Sequence, residues 1–482
     1  MPFDGRARLR RRSGPNLITA VLAIAGMSAS FMQTIVLPIQ SELPGLLNAE
    51  REQTAWVVTA TLLASCIAFP IAGRLGDLYG KRRVALGLLG FLVVGSVIAA
   101  LATDVVTLIV GRALQGAVMG LIPIGIAILR DVLPVERLNG GIALVSATLG
   151  FGGAIALPLS ALISEFLDWH WLFWCSAALG AVNFLLVLAF VPVSTLRSPG
   201  RLDVPGAIGL AVGLAGVLLA VSQGDAWGWT SPATLGCAAG GLAVLVAWGW
   251  YQLRVDSPLV DLRVTVRPAV LFTNLSALAI GFGFFAGNIA LPQILELPAG
   301  TPAGSGMGLS LLIAGLVLAP GALAAMLMAP FSAWLGKRFG GRVLVLAGPL
   351  VVAAGYAFGL LLHTEVWHIL LINVLLGAGI GLSFAGMPMI IMRSVPSTET
   401  ASANSINSLA RALGTTSSAA VIALILSANT VTVGDGAEAL ALPTTNAFLL
   451  TFLVSGAAAL ASAGLALLVP RRPSAERRPA LP

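Results

Sequence analysis

The chain alternates long apolar runs with short polar loops, and this pattern continues from one end to the other. The runs are about 20 residues long, which is the length an α-helix needs to cross the hydrocarbon core of a bilayer. They lack the alternation of polar and apolar positions that marks the strands of a membrane barrel, so the pattern indicates helices. It predicts fourteen membrane-spanning helices, numbered span 1 to span 14, near 16–40, 54–75, 84–102, 105–129, 140–164, 170–191, 204–222, 233–253, 269–293, 307–332, 343–363, 366–392, 401–426 and 446–469.

The composition is that of an integral membrane protein. Of the 482 residues, 57% are hydrophobic and 10% are charged, whereas a soluble domain carries about 25% charged residues. So few charges could not cover a globular surface, and lipid must be the main solvent of the folded chain. Because lipid offers no hydrogen bonds to the backbone, helices must satisfy it internally. The predicted fold class is therefore all-α integral membrane.

The basic residues are placed unevenly between the loops. With the N-terminus inside, 24 of the 27 Lys and Arg residues fall in cytoplasmic loops and tails. This segregation predicts an even number of spans and cytoplasmic termini, with the chain in the plasma membrane or cell inner membrane. The net charge of +7 forms short clusters rather than one continuous face, so we expect the lipid bilayer as a partner and no nucleic acid.

An internal repeat divides the chain. Residues 31–38 recur at 285–292 with an offset of 254, and residues 75–80 recur at 335–340 with an offset of 260. Spans 1 and 2 thus correspond to spans 9 and 10 in the same orientation, as in secondary transporters that place the solute site between two parallel halves. The repeat predicts two parallel six-helix halves plus two inserted helices. The predicted domains are 1–192 (N-terminal half), 193–268 (insertion with cytoplasmic linkers), 269–470 (C-terminal half) and 471–482 (disordered cytoplasmic tail).

The loop between spans 2 and 3 carries the most specific signal. Residues 73–83 read GRLGDLYGKRR, which resembles the loop at this place in the major facilitator superfamily. Nearly the whole chain is similar to the fourteen-span drug:proton antiporter branch of that superfamily. The resemblance implies a charge relay that holds the two halves together in one state and releases them in the other. The residues of this gating motif would be Gly73, Asp77, Gly80, Lys81, Arg82 and Arg130.

The residues of this loop leave two partners open for Asp77. Gly76 and Gly80 permit a tight turn at the membrane face. Asp77 can accept hydrogen bonds from free N–H groups, or it can pair with a basic residue such as Arg130 at the end of span 4. The basic run 81–83 has a simpler alternative role, which is to anchor the topology.

Two arginines lie well inside predicted spans, away from their ends. Arg112, about 10 Å from the outer end of span 4, resembles the fourth-helix arginine of the family, and Arg411 lies about 15 Å into span 13. Because an arginine within the membrane is costly, each should face a cavity or a partner. The alternatives are snorkelling to the outer headgroups for Arg112 and a structural role between helices for Arg411.

Polar and aromatic residues near these arginines outline a candidate substrate cavity. We expect it to be lined by Phe31, Met32, Gln33, Arg112, Gln115, Asn288, Asn404, Asn407 and Arg411. The cavity would offer arginines and amides but no buried carboxylate. We therefore favour a neutral, zwitterionic or anionic lipophilic substrate over a dication.

No acidic residue lies well inside a predicted span. In the antiporter branch an aspartate, serving as a proton or cation site, commonly stands where this chain has Met32. A proton carrier needs a titratable group that changes its exposure. The candidate proton sites are therefore Glu42 and Glu296, which we expect at the outer vestibule, and Asp77.

Span 5 resembles the antiporter motif of the family, in which glycines allow close helix packing and a proline bends the helix. The matching residues are Gly150, Gly153 and Pro158. The family usually has a glycine before the proline and a glycine pair after it, where this chain has Leu157, Ser160 and Ala161. Since the motif is associated with export, this departure leaves the direction of transport less specified than the fold.

These features predict a transporter rather than an enzyme. The sequence has no nucleotide-binding loop, no metal-spaced ligands and no soluble domain, so we expect no cofactor and no metal. The predicted function is export of a lipophilic drug or antibiotic in exchange for protons, by alternating access and as a monomer. The alternatives are an uptake carrier, a lipid exporter or a uniporter on the same fold.

Overall fold

The computed structural model describes residues 14–40, 42–194, 196–433 and 440–470, and the predicted tail 471–482 lies outside them. Within the described residues, fourteen helices are long and apolar enough to cross a membrane, which confirms the predicted number of spans. The helices of spans 1 to 14 are Pro15–Thr34, Arg51–Tyr79, Lys81–Ala100, Val105–Val132, Val135–Phe166, His170–Phe190, Val204–Trp227, Pro232–Gln252, Pro268–Glu296, Leu311–Phe339, Gly341–Leu361, Val366–Ser394, Thr400–Ala428 and Thr445–Leu468.

Several helices differ in length from the apolar runs that predict them. Spans 2, 5, 9, 10, 12 and 13 form helices of 29 to 32 residues. In five of them the helix continues through charged residues at its ends, whereas span 13 begins with uncharged polar residues. Span 1 is shorter than predicted: its helix ends at Thr34 and turns follow from 35 to 40, around Pro38, which has no N–H to continue the helix. Span 4 contains a 3-10 turn at Ala117–Gly120.

Short elements connect some of the spans. Single-turn helices form at Leu43–Leu46 and Leu262–Thr265, and a 3-10 turn at Ser397–Glu399 leads into span 13. Between spans 13 and 14, strands β1 (Thr430–Val433) and β2 (Leu440–Pro443) pair as an antiparallel hairpin.

Successive spans run in opposite directions, so every second connection lies at the same end of the bundle. We call the end that holds Gly14, Gly80, Gly340 and Pro470 the basic end, because most of the Lys and Arg residues lie there. The other is the opposite end.

The packing repeats at an interval of eight spans. In the first half, span 1 packs on span 5, span 2 packs on span 4, and span 3 packs on spans 4 and 6. In the second half, the equivalent pairs are span 9 with span 13, span 10 with span 12, and span 11 with spans 12 and 14. The halves meet through span 5 with span 10 and span 2 with span 13, which are equivalent pairs. The fold is therefore two parallel six-helix halves plus two inserted helices, as the sequence predicts. The residue boundaries of the domains stay a prediction.

The two inserted helices form a hairpin beside the interface of the halves. Span 7 contacts both span 2 and span 13, and span 8 packs on span 7. Two side chains of span 8 hold the start of span 7. The Trp248 indole N–H donates to the Gly206 carbonyl oxygen at 2.7 Å, and Gln252 Nε2 donates to an Asp203 carboxylate oxygen at 2.7 Å.

Candidate functional site

Asp77 connects the two halves at the basic end. It lies near the end of span 2, and its side chain is fully buried. Its carboxylate accepts hydrogen bonds from the N–H groups of Ala401 (3.2 Å) and Ser402 (2.8 Å) and from the Ser402 hydroxyl (2.7 Å). These donors begin span 13, where free N–H groups and the helix dipole favour an anion. Of the two partners that the sequence left open, Asp77 therefore binds the N–H groups at the start of span 13 rather than Arg130.

Glycines allow span 2 to approach span 13 closely. At Gly73 a Cβ atom would lie 2.5 Å from Ser405 Oγ and 2.9 Å from the Ala401 carbonyl oxygen. At Gly76 a Cβ atom would lie 2.4 Å from a side-chain carbon of span 4. A side chain at either place would separate the helices. Gly80 ends span 2 with a φ of +106°, a value that favours glycine.

Arg130 makes a second connection between the halves. Its guanidinium donates to the Thr400 hydroxyl at 2.8 Å and to the Val395 carbonyl oxygen at 3.4 Å. The ion pair between Asp77 and Arg130 that the sequence left open is not found among the described residues, because both side chains reach span 13 or the turn before it. We call the contacts of Asp77 and Arg130 with residues 395–402 the gate.

Lys81 is buried, so it is not merely a surface anchor. Its ammonium group lies 2.7 and 2.9 Å from the two carboxylate oxygens of Asp131. The Ser194 hydroxyl donates to the same carboxylate at 2.6 Å, and Arg82 donates to the Leu188 carbonyl oxygen. This cluster joins spans 3, 4 and 6 within the first half, next to the gate.

The linkers of the inserted hairpin contact the gate. The Ser198 N–H donates to the Asp77 carbonyl oxygen at 2.8 Å, and the Ser198 hydroxyl donates to the Thr398 carbonyl oxygen at 2.7 Å. In the second linker the Ser257 hydroxyl accepts from Arg74 of span 2 at 2.9 Å. The first linker is therefore hydrogen-bonded to both halves, which the sequence does not indicate.

Arg112 is enclosed inside the first half and has no exposed surface. Its Nη1 atom donates to the Met32 carbonyl oxygen and to Gln115 Oε1, each at 2.9 Å, and Gln115 donates to the Ser96 hydroxyl at 2.7 Å. Arg112 thus has partners rather than headgroup contacts. Because Met32, Arg112 and Gln115 are hydrogen-bonded to one another and fully buried, they do not line an accessible cavity in this conformation, contrary to the expectation from the sequence.

Arg411 has a different environment. It lies about 16 Å from the basic end of span 13, and its side chain is partly exposed. The guanidinium carbon is 4.5 Å from the ring centre of Phe384 in span 12. That ring in turn meets the edge of Phe284 from span 9, with 6.2 Å between the centres. Arg411 therefore stands among three spans of the second half, beside aromatic rings.

The other predicted cavity residues differ in exposure. Asn404 and Asn407 are buried; Asn404 donates to the backbone of its own helix and Asn407 to an amide oxygen of span 9. Asn288 of span 9 is exposed, Gln33 of span 1 is partly exposed, and Phe31 is buried. Asn407 and Asn404 precede Arg411 by one and two turns of span 13, whereas the Arg112 group lies within the first half.

Glu42 and Glu296 are exposed and lie at the opposite end. Glu296 is the last helical residue of span 9, and Glu42 precedes the single-turn helix that follows span 1. The two carboxylates occupy equivalent places in the two halves. Their role in proton transfer stays a prediction.

Span 5 approaches its neighbours through small residues. A Cβ atom at Gly150 would lie 3.4 Å from a side chain of span 10, and one at Gly153 would lie 3.2 Å from a hydroxyl of span 1. Gly152, which the sequence did not single out, is closer still: its Cβ would lie 2.4 Å from a carbonyl oxygen of span 1. Pro158 lies inside a continuous helix.

One face of span 13 changes its neighbours along the helix. Near the basic end, Ala401 and Ser405 lie against span 2. Ala419 and Ala423 continue this face at helical spacing. Together with residues of span 9 and of strands β1 and β2, they line a cavity of about 440 Å³. The described residues that line it all belong to the second half. Span 13 thus contacts the first half near the basic end and lines this cavity near the opposite end.

Several residues of the site were missed by sequence reasoning. Apart from Val395, the residues that Asp77 and Arg130 contact are in the segment 397–402, which reads STETAS, and such a cluster is typical of a helix start. Asp131 directly follows Arg130 and was available as a partner for a basic residue. No local signal places Phe384 beside Arg411, because the two residues belong to different spans.

The chain is similar to known proteins over most of its length. Residues 22–419 match the family model described as Major Facilitator Superfamily. The chain is 28% identical over 380 residues to the lincomycin resistance protein LmrB of Listeria monocytogenes, with 78% of each chain covered. It is 28% identical over 403 residues to the multidrug resistance protein B homolog of Mycobacterium tuberculosis, with 80% of this chain and 72% of that one covered. Its fold is similar to the structure of the proton:xylose symporter XylE, with a TM-score of 0.65, 13% identity, and 95% of this chain and 96% of that chain covered.

Proposed function

The chain belongs to the major facilitator superfamily, whose members are transporters rather than enzymes, and on that premise we propose that it exports a lipophilic small molecule in exchange for protons by alternating access. In this proposal the basic end faces the cytoplasm, because Lys and Arg are retained on that side of a membrane. The described conformation is then closed to the cytoplasm.

The observation that carries the proposal is the gate. Asp77 of one half binds the first turn of span 13 in the other half, and Arg130 adds its contacts beside it. These bonds can exist only while the halves meet at the basic end, so they favour one of the two states that alternating access requires. The glycines of span 2 make the same contact possible sterically.

Proton coupling follows from the charge of Asp77. Its carboxylate is stabilised by the start of span 13, and protonation removes that charge and with it most of the attraction. Proton binding at Asp77 therefore favours opening toward the cytoplasm. In this proposal Glu42 and Glu296, which are exposed at the opposite end, receive protons from the outside.

A lipophilic drug or antibiotic is the substrate class that the relatives support. The relatives named above are described as lincomycin resistance and multidrug resistance proteins. Span 5 retains Gly150, Gly153 and Pro158 of the motif associated with export but has Leu157, Ser160 and Ala161 in place of its other glycines, so the relatives alone support the direction of transport.

The test is flux in proteoliposomes with an imposed pH gradient. The substrates are three pyrene compounds on one scaffold: the anion 1-pyrenebutyrate, its neutral primary amide and the cation 1-pyrenebutylamine. We expect at least one of them to move against the proton flux and to reverse direction when the gradient is reversed. Protein-free liposomes are the control. Flux that ignores the gradient would identify a uniporter, and no flux of any compound would refute the proposal.

The proton sites have a separate test. The double variant Glu42→Gln, Glu296→Gln should lose pH-driven flux while still exchanging labelled for unlabelled substrate at equal pH. Intact pH-driven flux in this variant would remove both residues from the coupling mechanism.

A further inference from the structure

The guanidinium of Arg411 has no anionic partner in the part of the chain that the structure describes. The ion pairs found there are Lys81 with Asp131 and His170 with Asp168, at the two ends of the bundle. Arg411 donates no hydrogen bond to a described residue, and its contact is the face of the Phe384 ring. A positive charge at this depth is costly unless it is hydrated or paired.

Arg411 differs from the arginines that hydrogen-bond to neighbouring helices. Arg130 and Arg342 use their donors on carbonyl or hydroxyl oxygens of neighbouring helices, as expected of arginines that hold helices together. Arg112 is sealed inside the first half. The Arg411 side chain instead keeps part of its surface exposed in the middle of the bundle, so its donors remain available to a ligand.

The helix face of Arg411 is directed toward spans 9 and 12 of the second half. Ala401 and Ser405 define the face of span 13 that contacts span 2. Gly414, whose Cβ would lie 2.0 Å from a carbonyl oxygen of span 9, defines the face toward span 9. At 100° per residue, Arg411 lies between these two faces, where its guanidinium meets the ring of span 12.

We infer that Arg411 is the counter-charge of the substrate site and that the transported compound is a lipophilic anion. This inference rests on the proposed function and specifies its substrate class. The acid group, a carboxylate, sulfonate or phosphate monoester, would take paired hydrogen bonds from the guanidinium. Its flat apolar part would lie against the rings of Phe384 and Phe284. A cationic drug would meet an uncompensated positive charge and be excluded.

Binding of the three pyrene compounds to the full-length protein in nanodiscs tests this inference. The compounds share their apolar group and differ in charge, so differences in affinity report on the charge. We expect the carboxylate to bind about 10- to 100-fold more tightly than the amide or the amine, the range of one or two charge-assisted hydrogen bonds. Arg411→Gln should abolish this preference and leave amide binding within about twofold of wild type.

Matched variants separate recognition from structure. Arg254→Gln removes the same charge from the exposed end of the inserted hairpin and should leave all three affinities unchanged. Arg411→Lys keeps the charge without the paired donors, so it should retain a preference for the anion that is weaker than in wild type. If Arg411→Gln fails to fold, the wild-type order of affinities and the Lys variant still decide the matter.

The outcomes also distinguish this inference from the proposed function. Equal binding of amine and carboxylate, or an equal loss for all three compounds in Arg411→Gln, would overturn the inference and assign Arg411 a structural role. Absence of pH-driven flux with correct anion selectivity in binding would instead refute the export proposal and leave the anion site standing.

Discussion

Replacing Asp77 with Asn tests the gate directly, because it keeps the shape of the side chain and removes its charge. In the structure the carboxylate accepts from two N–H groups and one hydroxyl of span 13, at 2.7 to 3.2 Å. The amide replaces one acceptor oxygen with a donor that faces other donors, and it loses the interaction with the helix start. Charged hydrogen bonds and the helix dipole together give a cost of about 2 to 4 kcal/mol for the closed state. This corresponds to a shift of about 30- to 700-fold in the ratio of closed to open molecules.

The assay is the distance between spin labels across the basic end. Labels at Arg83→Cys and Arg393→Cys, both exposed and in different halves, are attached after the three native cysteines are replaced. Double electron–electron resonance on wild type should show a short distance as the main population. In Asp77→Asn the longer distance should become dominant.

Asp104→Asn is the matched control. Like Asp77, Asp104 accepts hydrogen bonds at the start of a helix: the Thr107 N–H donates to it at 2.9 Å and the Thr107 hydroxyl at 2.6 Å. Unlike Asp77, it bonds within one half, at the opposite end. These hydrogen bonds lower the pKa of the exposed Asp104 carboxyl, so it is charged at neutral pH. Because asparagine caps a helix about as well as aspartate, its replacement should cost less than about 1 kcal/mol of stability, mainly the lost interaction of the charge with the helix dipole, and should leave the distances unchanged. An unaltered distribution in Asp77→Asn, or the same shift in both variants, would refute the role given to the gate.

Two further predictions concern the packing near the gate. Lys81→Met leaves the buried Asp131 carboxylate without its cation, so thermal unfolding in detergent should show a free energy of unfolding that is lower by about 3 to 5 kcal/mol. The double variant Lys81→Met, Asp131→Leu should recover most of this free energy, and failure to recover it would contradict the pairing. Gly73→Ala places a Cβ atom 2.5 Å from Ser405 Oγ, so the spin-label distance should lengthen and flux should fall. Gly87→Ala is the control: no atom lies within 4 Å of its Cβ, so it should match wild type in both measurements.

The sequence predicts much of this fold because lipid imposes simple rules. Runs of about 20 apolar residues must span, and the fourteen spans found confirm this count. The ends of helices are harder to predict, since hydropathy falls at a charged residue whereas the helix continues through it. Span 5 illustrates this: the apolar run covers 140–164, and the helix is Val135–Phe166.

The site is predicted less completely because its partners come from distant spans. Asp77 is identifiable from its loop, but the choice between a helix start and Arg130 depends on how spans 2, 4 and 13 pack. The same is true of the intramembrane arginines. Sequence gives Arg112 and Arg411 similar expectations, whereas the structure encloses the first among hydrogen-bonding partners and leaves the second beside a ring. Packing, not composition, separates them.

The inserted hairpin constrains how this architecture can vary. Both of its linkers are at the basic end, so the chain leaves the first half and enters the second on the same side of the membrane. An insertion of one or three helices would return the chain on the wrong side and invert the second half. The equivalent pairs of helices at the interface would then run in opposite senses and could no longer match. Any extra segment between the halves must therefore cross the membrane an even number of times, and two is the smallest number that crosses it at all.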